Sequence, residues 1–262
     1  LEAYKELNPE ETMLTFYYDD LRATRTGSTV GVDERSLRRF RPMEVKKVVF
    51  DASFKNFQPT TTARWFANFW ALTTFEGLEN FNTEKVTDMS NMFEYCRALE
   101  TLDFKTFNTQ NVENLQNMFL MCGALKTVNL ESFNTEKVVT MHEMFYGCKS
   151  LEALNLKAFN TEKVEDMSGM FDGCESLKIL DVTSFNTAKV KDMSAQFRRC
   201  SALTELDITN FNTANVNSMS HMFRGCSGLK TIDVKHFNTA KVEAMSNMFT
   251  GCSICLLYTS DA

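Results

Sequence analysis

Residues 81–106 read FNTEKVTDMSNMFEYCRALETLDFKT, and this 26-residue unit recurs down the rest of the chain to about residue 254. A Phe-Asn-Thr tripeptide opens each of seven copies, at Phe81, Phe107, Phe133, Phe159, Phe185, Phe211 and Phe237. The spacing never varies, which is typical of a solenoid whose units bury their apolar faces only against their neighbours. Such an architecture favours a function carried by an extended surface over one carried by a single pocket.

Within the unit, apolar residues first follow a helical spacing and then a strand spacing. The first set recurs at intervals of 3, 3, 1 and 3 and predicts one face of a short helix: Val86, Met89, Met92, Phe93 and Cys96. Leu102 and Phe104 then recur at the strand interval of two. A glycine precedes the cysteine in several copies, where a left-handed helix end would accommodate it: Gly147, Gly173, Gly225 and Gly251.

A turn, a short helix and a short strand in 26 residues predict an α/β fold of the leucine-rich-repeat type. Leu99-x-x-Leu102-x-Phe104-x-x-Phe107-Asn108 parallels the generic L-x-x-L-x-L-x-x-N pattern, with Asn one place late. We therefore expect a leucine-rich-repeat-like solenoid with parallel strands on one face and short helices on the other.

Three columns of identical residues are expected to fill the core. Phenylalanines from Phe93 to Phe249 predict an aromatic column, and a methionine column beside it is interrupted once, by Gln196. A methionine stripe can also form a metal site, but its place beside phenylalanines favours core packing. Seven of the eight cysteines, Cys96 through Cys252, share a third column, which favours buried free thiols over disulfides or a metal site.

The first third of the chain differs from the repeats. Residues 13–18 and 45–50 read as strands, and residues 22–31 as a turn-rich loop. Residues 61–80 read as a degenerate repeat in which Trp65-Phe66 replaces Met-Phe. Because the first unit of a solenoid has a face with no neighbour, we expect an N-terminal β cap region at 1–60, a capping repeat at 61–80 and seven repeats at 81–254. An independent binding domain at the N-terminus is the alternative.

The composition argues against two classes of function. A net charge of -6 disfavours nucleic acid, because phosphate binding needs clustered Lys and Arg. No apolar run approaches the roughly 18 residues that indicate a membrane-spanning helix, and no signal-peptide core follows Leu1. The last eight residues, CLLYTSDA at 255–262, abandon the repeat and resemble a translated transposase sequencing adapter, so we expect a non-native tail there.

The outward side of the predicted strands carries the candidate binding residues. A nearly constant polar column consists of Asp103, Asn129, Asn155, Asp181, Asp207 and Asp233. More variable charged positions lie beside it, among them Lys126, Glu152, Lys178, Glu205 and Lys230. A constant column beside variable ones fits a partner-binding face, and it equally fits a solvated face needed for solubility. Binding of a cation is disfavoured, because ligands on a flat ladder do not converge.

Neither catalysis nor a cofactor is predicted. His142, His221 and His236 fall in different columns, and the chain has no Gly-rich phosphate loop and no HExxH motif. The sequence therefore predicts a non-enzymatic protein.

The pattern V-x-x-M-x-x-M-F-x-x-C-x-x-L-x-x-L, followed by F-N-T, resembles the repeats of BspA-type bacterial leucine-rich-repeat surface proteins. The segments LTFYYDDLRATRTG at 14–27 and TTFEGLENFNT at 73–83 resemble their lead-in. The resemblance implies a location on the bacterial surface or secretion, and adhesion to a host matrix protein, another surface protein or a glycan. A structural spacer that carries a binding domain elsewhere is the alternative.

Overall fold

The computed structural model describes residues 1–35, 42–252 and 256–258. Five N-terminal strands are β1 (Glu2–Leu7), β2 (Met13–Asp19), β3 (Ser28–Thr29), β4 (Lys47–Phe50) and β5 (Thr74–Glu76). They form one sheet in the order β3-β1-β2-β4-β5. β1 is antiparallel to β2 and β3, whereas β4 is parallel to β2 and β5. The two strands predicted in this region are confirmed as β2 and β4, and the sequence reading missed β1.

Each strand of the repeats is short and parallel to a neighbour. They are β6 (Thr101–Asp103), β7 (Thr127–Asn129), β8 (Ala153–Leu154), β9 (Ile179–Leu180), β10 (Thr231–Asp233) and β11 (Leu256–Tyr258). The strands pair in twos, β6 with β7, β8 with β9 and β10 with β11. The predicted parallel stacking is thus confirmed within pairs, while a continuous strand sheet is not formed. β11 belongs to the segment expected to be a non-native tail; Cys255 and 259–262 lie outside the described residues.

The predicted helical face is wrong. The helices in the described part of the chain are short 3₁₀ segments, none of seven residues or more: Arg22–Thr24, Pro42–Glu44, Ala52–Asn56 and Leu78–Asn80. Residues 86–96 instead form consecutive turns. The N–H of Glu94 donates to the carbonyl of Asn91 at 3.1 Å, whereas the N–H of Phe93 donates to Met118 of the next repeat at 2.9 Å. This alternation places half of the amide hydrogen bonds between repeats.

Left-handed residues explain why a helix does not form. Asn91 and Tyr95 have φ of 57° and 59°. The two equivalent positions of every later repeat are also left-handed, four of them as the glycine before the cysteine. A right-handed helix of L-residues cannot continue through such positions. In each of these turns an N–H donates to the carbonyl three residues earlier, so apolar side chains recur at intervals of three, as they would on a helix. The sequence pattern therefore does not distinguish these turns from a helix.

Two features join neighbouring repeats without interruption. Isolated parallel bridges run from Thr61 through Asp88 and its equivalents to Ala244. A buried threonine adds a second link, because Thr83 Oγ1 donates to the carbonyl of Asn108 at 3.0 Å and accepts its N–H at 2.9 Å. Later repeats have the same pair of bonds, as far as Thr213. The continuous backbone ladder therefore lies beside the turns and not in the strands.

The three predicted columns form the core. Neighbouring phenylalanine rings from Phe93 to Phe249 stack with centroids 5.4–6.0 Å apart. Phe66 extends this column, 5.6 Å from Phe93. The methionines beside the rings are buried, as is Gln196. The seven column cysteines are thiols and not disulfides, so the predictions of core packing and of reduced cysteines are confirmed.

Candidate functional site

All eleven predicted binding residues lie on one surface, here called the strand face: the outward side chains of residues 100–105 and of the equivalent positions in later repeats. Most of the eleven are exposed, and Asn129, Asp181 and Asp233 are half-buried. In β6, Thr101 and Asp103 are exposed while Leu102 is buried. Phe104, which follows the strand, is also buried. The alternation matches the strand prediction and directs one side of every repeat to solvent.

A structural role accounts for the constant polar column. In each of the six repeats, a side-chain oxygen of this Asp or Asn accepts the backbone N–H two residues later, at 3.0–3.2 Å. Asp and Asn are the residue types that close such turns. The column is therefore constant because each of these six repeats makes the same turn at this position, and its constancy carries no information about a ligand.

The charged column at the start of each strand forms ion pairs along the stack. Lys126 Nζ lies 2.7 Å from Glu100, and Lys178 Nζ lies 3.0 Å from Glu152. These side chains are 58–63% exposed, and exposed pairs of this kind contribute about 0–1 kcal/mol to stability. The alternation of glutamate and lysine ends after Lys178, because Thr204 stands where the next glutamate would be. Lys230, in the repeat after that, has no carboxylate partner among the described residues.

Two aspartates on the strand face are more acidic than usual. The pKa of Asp181 is lowered because the hydroxyl and the N–H of Thr183 both donate to its carboxylate. Thr209 lowers the pKa of Asp207 in the same way. Both groups are therefore negatively charged at neutral pH.

Shallow grooves follow the strand face where the strands separate. A groove of about 670 Å³ lies between β5 and β6, and its lining includes Thr74, Phe75, Asp103 and Lys105. A groove of about 480 Å³ lies between β9 and residues 204–207. A third, of about 400 Å³, extends from β6 to Asn155. The strand face thus offers indentations at several repeats and not one enclosed pocket.

One strand-face residue escaped the sequence reading. Ile179 is 68% exposed and lines the 480 Å³ groove together with Glu205 and Asp207. Its equivalents in earlier repeats are small or hydroxylated: Thr101, Thr127 and Ala153. The signal in the sequence is a large aliphatic residue at an outward strand position.

The histidines do not converge. His142 Nδ1 lies 2.7 Å from Ser168 Oγ, which itself donates to Asp166 at 2.5 Å. Asp166 also accepts the backbone N–H of Ser168 at 2.8 Å, so this serine belongs to a turn closed by the aspartate. Among the described residues, no group of three or more His, Cys, Asp or Glu side chains is arranged to hold a metal ion. In the same part of the chain, no helix has the length and apolarity needed to cross a bilayer.

Comparison with solved structures supports the repeat fold. A leucine-rich repeat protein from Bacteroides ovatus superposes with a TM-score of 0.53 at 14% identity, over 99% of this chain and 70% of that chain. A T. pallidum leucine-rich repeat protein matches with a TM-score of 0.37 at 14% identity, over 66% of this chain and 86% of that one. No curated protein matches. The superposition on the Bacteroides ovatus protein shows that the architecture is a leucine-rich-repeat solenoid.

A family model matches the repeats themselves. It covers residues 60–180 and 166–255, which include the degenerate repeat and all seven regular ones. These matches span well over half of the chain. The chain therefore belongs to the family described as "Mycoplasma protein of unknown function, DUF285".

Proposed function

We propose that this chain is a non-enzymatic bacterial surface protein whose solenoid binds a protein partner through the strand face. The observation that carries this proposal is the exposed Ile179 in its groove beside Glu205 and Asp207. A large aliphatic side chain that is 68% exposed on a rigid surface is a suitable anchor for a protein interface, whose energy is concentrated in a few central contacts.

The charges around this groove also support the proposal. In earlier repeats the glutamates and lysines neutralise each other along the stack, as Glu100 and Lys126 do. Glu205 and Lys230 have no ion pair among the described residues, so their charges remain available to a partner. Complementary charge at the rim of an interface raises association rate and specificity.

The scaffold suits binding by many weak contacts. Side chains from several repeats lie on one stacked framework, so a ligand can engage them with little cost in ordering the protein. Solenoids generally present extended surfaces of this kind.

The proposed surface location rests on the resemblance to BspA-type repeats and is compatible with the state of the cysteines. Burial raises the pKa of the Cys96, Cys122 and Cys148 thiols. Since the thiolate is the reactive form, these groups resist oxidation and can persist unpaired outside the cell.

Two sets of four substitutions test the binding face against a panel of purified extracellular-matrix glycoproteins. The strand-face set changes Lys126, Glu152, Lys178 and Glu205 to Ala; the control set changes Lys137, Lys163, Lys189 and Asn215 to Ala. We expect the strand-face set to abolish or strongly weaken binding and the control set to preserve it. Loss with the control set alone would contradict the assignment, and no binding to any protein would favour a structural spacer.

A further inference from the structure

A second surface lies on the turns that follow each Phe-Asn-Thr tripeptide, here called the turn face: residues 84–87 and their equivalents. In Lys189-Val190-Lys191 the valine is buried and the two flanking lysines are exposed. The first of these positions is Lys or Asn in every repeat: Lys85, Asn111, Lys137, Lys163, Lys189, Asn215 and Lys241. The solenoid therefore carries a cationic or amide side chain on this face at each step.

A groove crosses the turn face in the C-terminal repeats. It has a volume of about 400 Å³, and the residues that line it are called the lysine groove: Glu165, Lys189, Lys191, Asn215, Asn217 and Lys241. Lys191 pairs with Glu165 at 2.5 Å. Lys241 donates to Asn215 Oδ1 at 2.7 Å, a bond to a neutral group that leaves its charge uncompensated.

The neighbouring column makes this end of the turn face positive. The residue before the lysine is acidic or an amide in the first four repeats and alanine in the last three: Glu84, Gln110, Glu136, Glu162, Ala188, Ala214 and Ala240. Each glutamate in the earlier repeats adds a negative charge beside the lysine that follows it. Around the lysine groove that glutamate is absent, and the carboxylates on this part of the turn face are Glu165, which pairs with Lys191, and Glu243.

We propose that the lysine groove binds a linear sulfated polysaccharide, separately from the protein partner of the strand face. Lys189 and Lys241 lie two repeats apart with Asn215 between them, so the groove presents separated cations along the stack that can engage successive anionic groups of a linear chain. Lysine binds sulfate as a compact point charge. Asn215 and Asn217 add amide groups that can bond sugar hydroxyls.

The lining of the groove disfavours single-stranded nucleic acid. Such ligands require aromatic side chains on which bases stack, and none lines the lysine groove. A sulfated sugar chain can be bound by lysine charges and side-chain amides alone, without aromatic side chains on which to stack.

The binding experiment uses the full chain and heparin as the probe, measured by calorimetry at several salt concentrations. The triple variant Lys189→Gln, Lys191→Gln and Lys241→Gln should lose about tenfold or more in affinity, and its salt dependence should fall by roughly one per lysine removed. The control triple variant Lys126→Gln, Lys178→Gln and Lys230→Gln removes the same charge from the strand face and should bind as the parent chain does. Equal losses in both variants would overturn the proposal, because the effect would then reflect net charge alone.

A second variant tests the groove without removing any lysine. Ala188→Glu, Ala214→Glu and Ala240→Glu introduce the residue that Glu84, Glu136 and Glu162 already supply at equivalent positions, so folding should be preserved. Heparin affinity should fall by about tenfold or more, whereas unchanged affinity would contradict the proposal. Inorganic polyphosphate or single-stranded DNA that binds this groove more tightly than heparin would overturn the sugar assignment. The affinity of these variants for matrix glycoproteins, measured in parallel, tests the strand face independently of the lysine groove.

Discussion

Cys122 Sγ lies 3.1 Å from the carbonyl oxygen of Phe93, and the same oxygen accepts the N–H of Cys96 at 3.0 Å. One carbonyl thus closes a turn in its own repeat and receives a thiol from the next. The relationship recurs along the column, as far as Cys252 and Phe223 at 2.9 Å. The cysteine column therefore links repeats by weak hydrogen bonds in addition to filling the core.

The column thiols should react slowly in the native protein and fully after unfolding. Six of the seven are buried, and a buried neutral thiol is a poor nucleophile. The measurement is titration with a thiol reagent without reductant, on a Cys255→Ser variant so that only the column is counted. About seven thiols should appear after denaturation. Two or fewer would mean that the column is oxidised in solution.

Stability should decline in mildly alkaline solution because of these thiols. Burial raises the pKa of Cys122 to about 12 and raises the pKa of Cys96, Cys148, Cys174 and Cys200 well above the usual value. The unfolded chain loses these protons near about pH 8.5 while the folded chain retains them, so folding free energy is lost as pH rises above that point, by at most about 1.4 kcal/mol per pH unit per thiol.

Urea unfolding measured between about pH 7 and 10 checks this slope, because lysines titrate only near pH 10.4. A free energy of unfolding that stays constant up to about pH 10 would show that the thiols do not control the alkaline limit.

Replacing Gln196 by methionine should stabilise the protein. This amide is fully buried in the methionine column; its Nε2 lies 3.6 Å from the weak acceptor Met167 Sδ, and its Oε1 has no hydrogen-bond partner. A buried, poorly bonded amide costs on the order of 1–3 kcal/mol. Gln196→Met should therefore raise the midpoint of thermal unfolding, and Gln110→Met at an exposed position should not. An unchanged or lower midpoint for Gln196→Met would show that the amide is satisfied.

The threonine hydrogen bonds that join neighbouring repeats should contribute measurably to the free energy of unfolding. Thr135 is 1% exposed, and its Oγ1 donates to the carbonyl of Asn160 and accepts its N–H, both at 2.8 Å. Thr135→Val keeps the shape but removes both bonds and should cost about 1–2 kcal/mol. Thr135→Ser keeps the hydroxyl and should cost less. Chemical denaturation compares the two, and equal stabilities would mean that the link contributes only packing.

The sequence predicted the repeat, its core columns and the parallel direction of its strands, because these follow from side-chain identity at a constant spacing. It misassigned residues 86–96, because turns closed three residues back bury the same positions as a helical face. The distinguishing signal is the backbone conformation at Asn91 and Tyr95. At the equivalents of these two positions, some repeats carry glycine and others carry residues with ordinary side chains. A recurring glycine therefore marks the left-handed conformation only at the position before the cysteine.

The sequence predicts that the candidate residues lie on the outward side of the strands, and their role in binding stays a prediction. The structure gives the constant aspartates among them a different role, because they close turns through bonds such as Thr183 N–H to Asp181. Ile179 is exposed because it occupies the outward position of β9, as Thr101, Thr127 and Ala153 do in earlier strands. Its place on this surface therefore follows from the strand alternation.

Binding by the strand face through Ile179 is tested most directly by a pair of matched substitutions. Ile179 and Val139 are both exposed aliphatic residues, at 68% and 43%, on the strand face and the turn face respectively. The affinity of Ile179→Asp and Val139→Asp variants for any matrix glycoprotein bound by the parent chain should be measured by surface plasmon resonance. We expect Ile179→Asp to weaken binding by about tenfold or more, the scale of an interface anchor, and Val139→Asp to leave it unchanged. Equal affinities for the parent chain and the Ile179→Asp variant, or a loss confined to Val139→Asp, would contradict the assignment of the partner to the strand face.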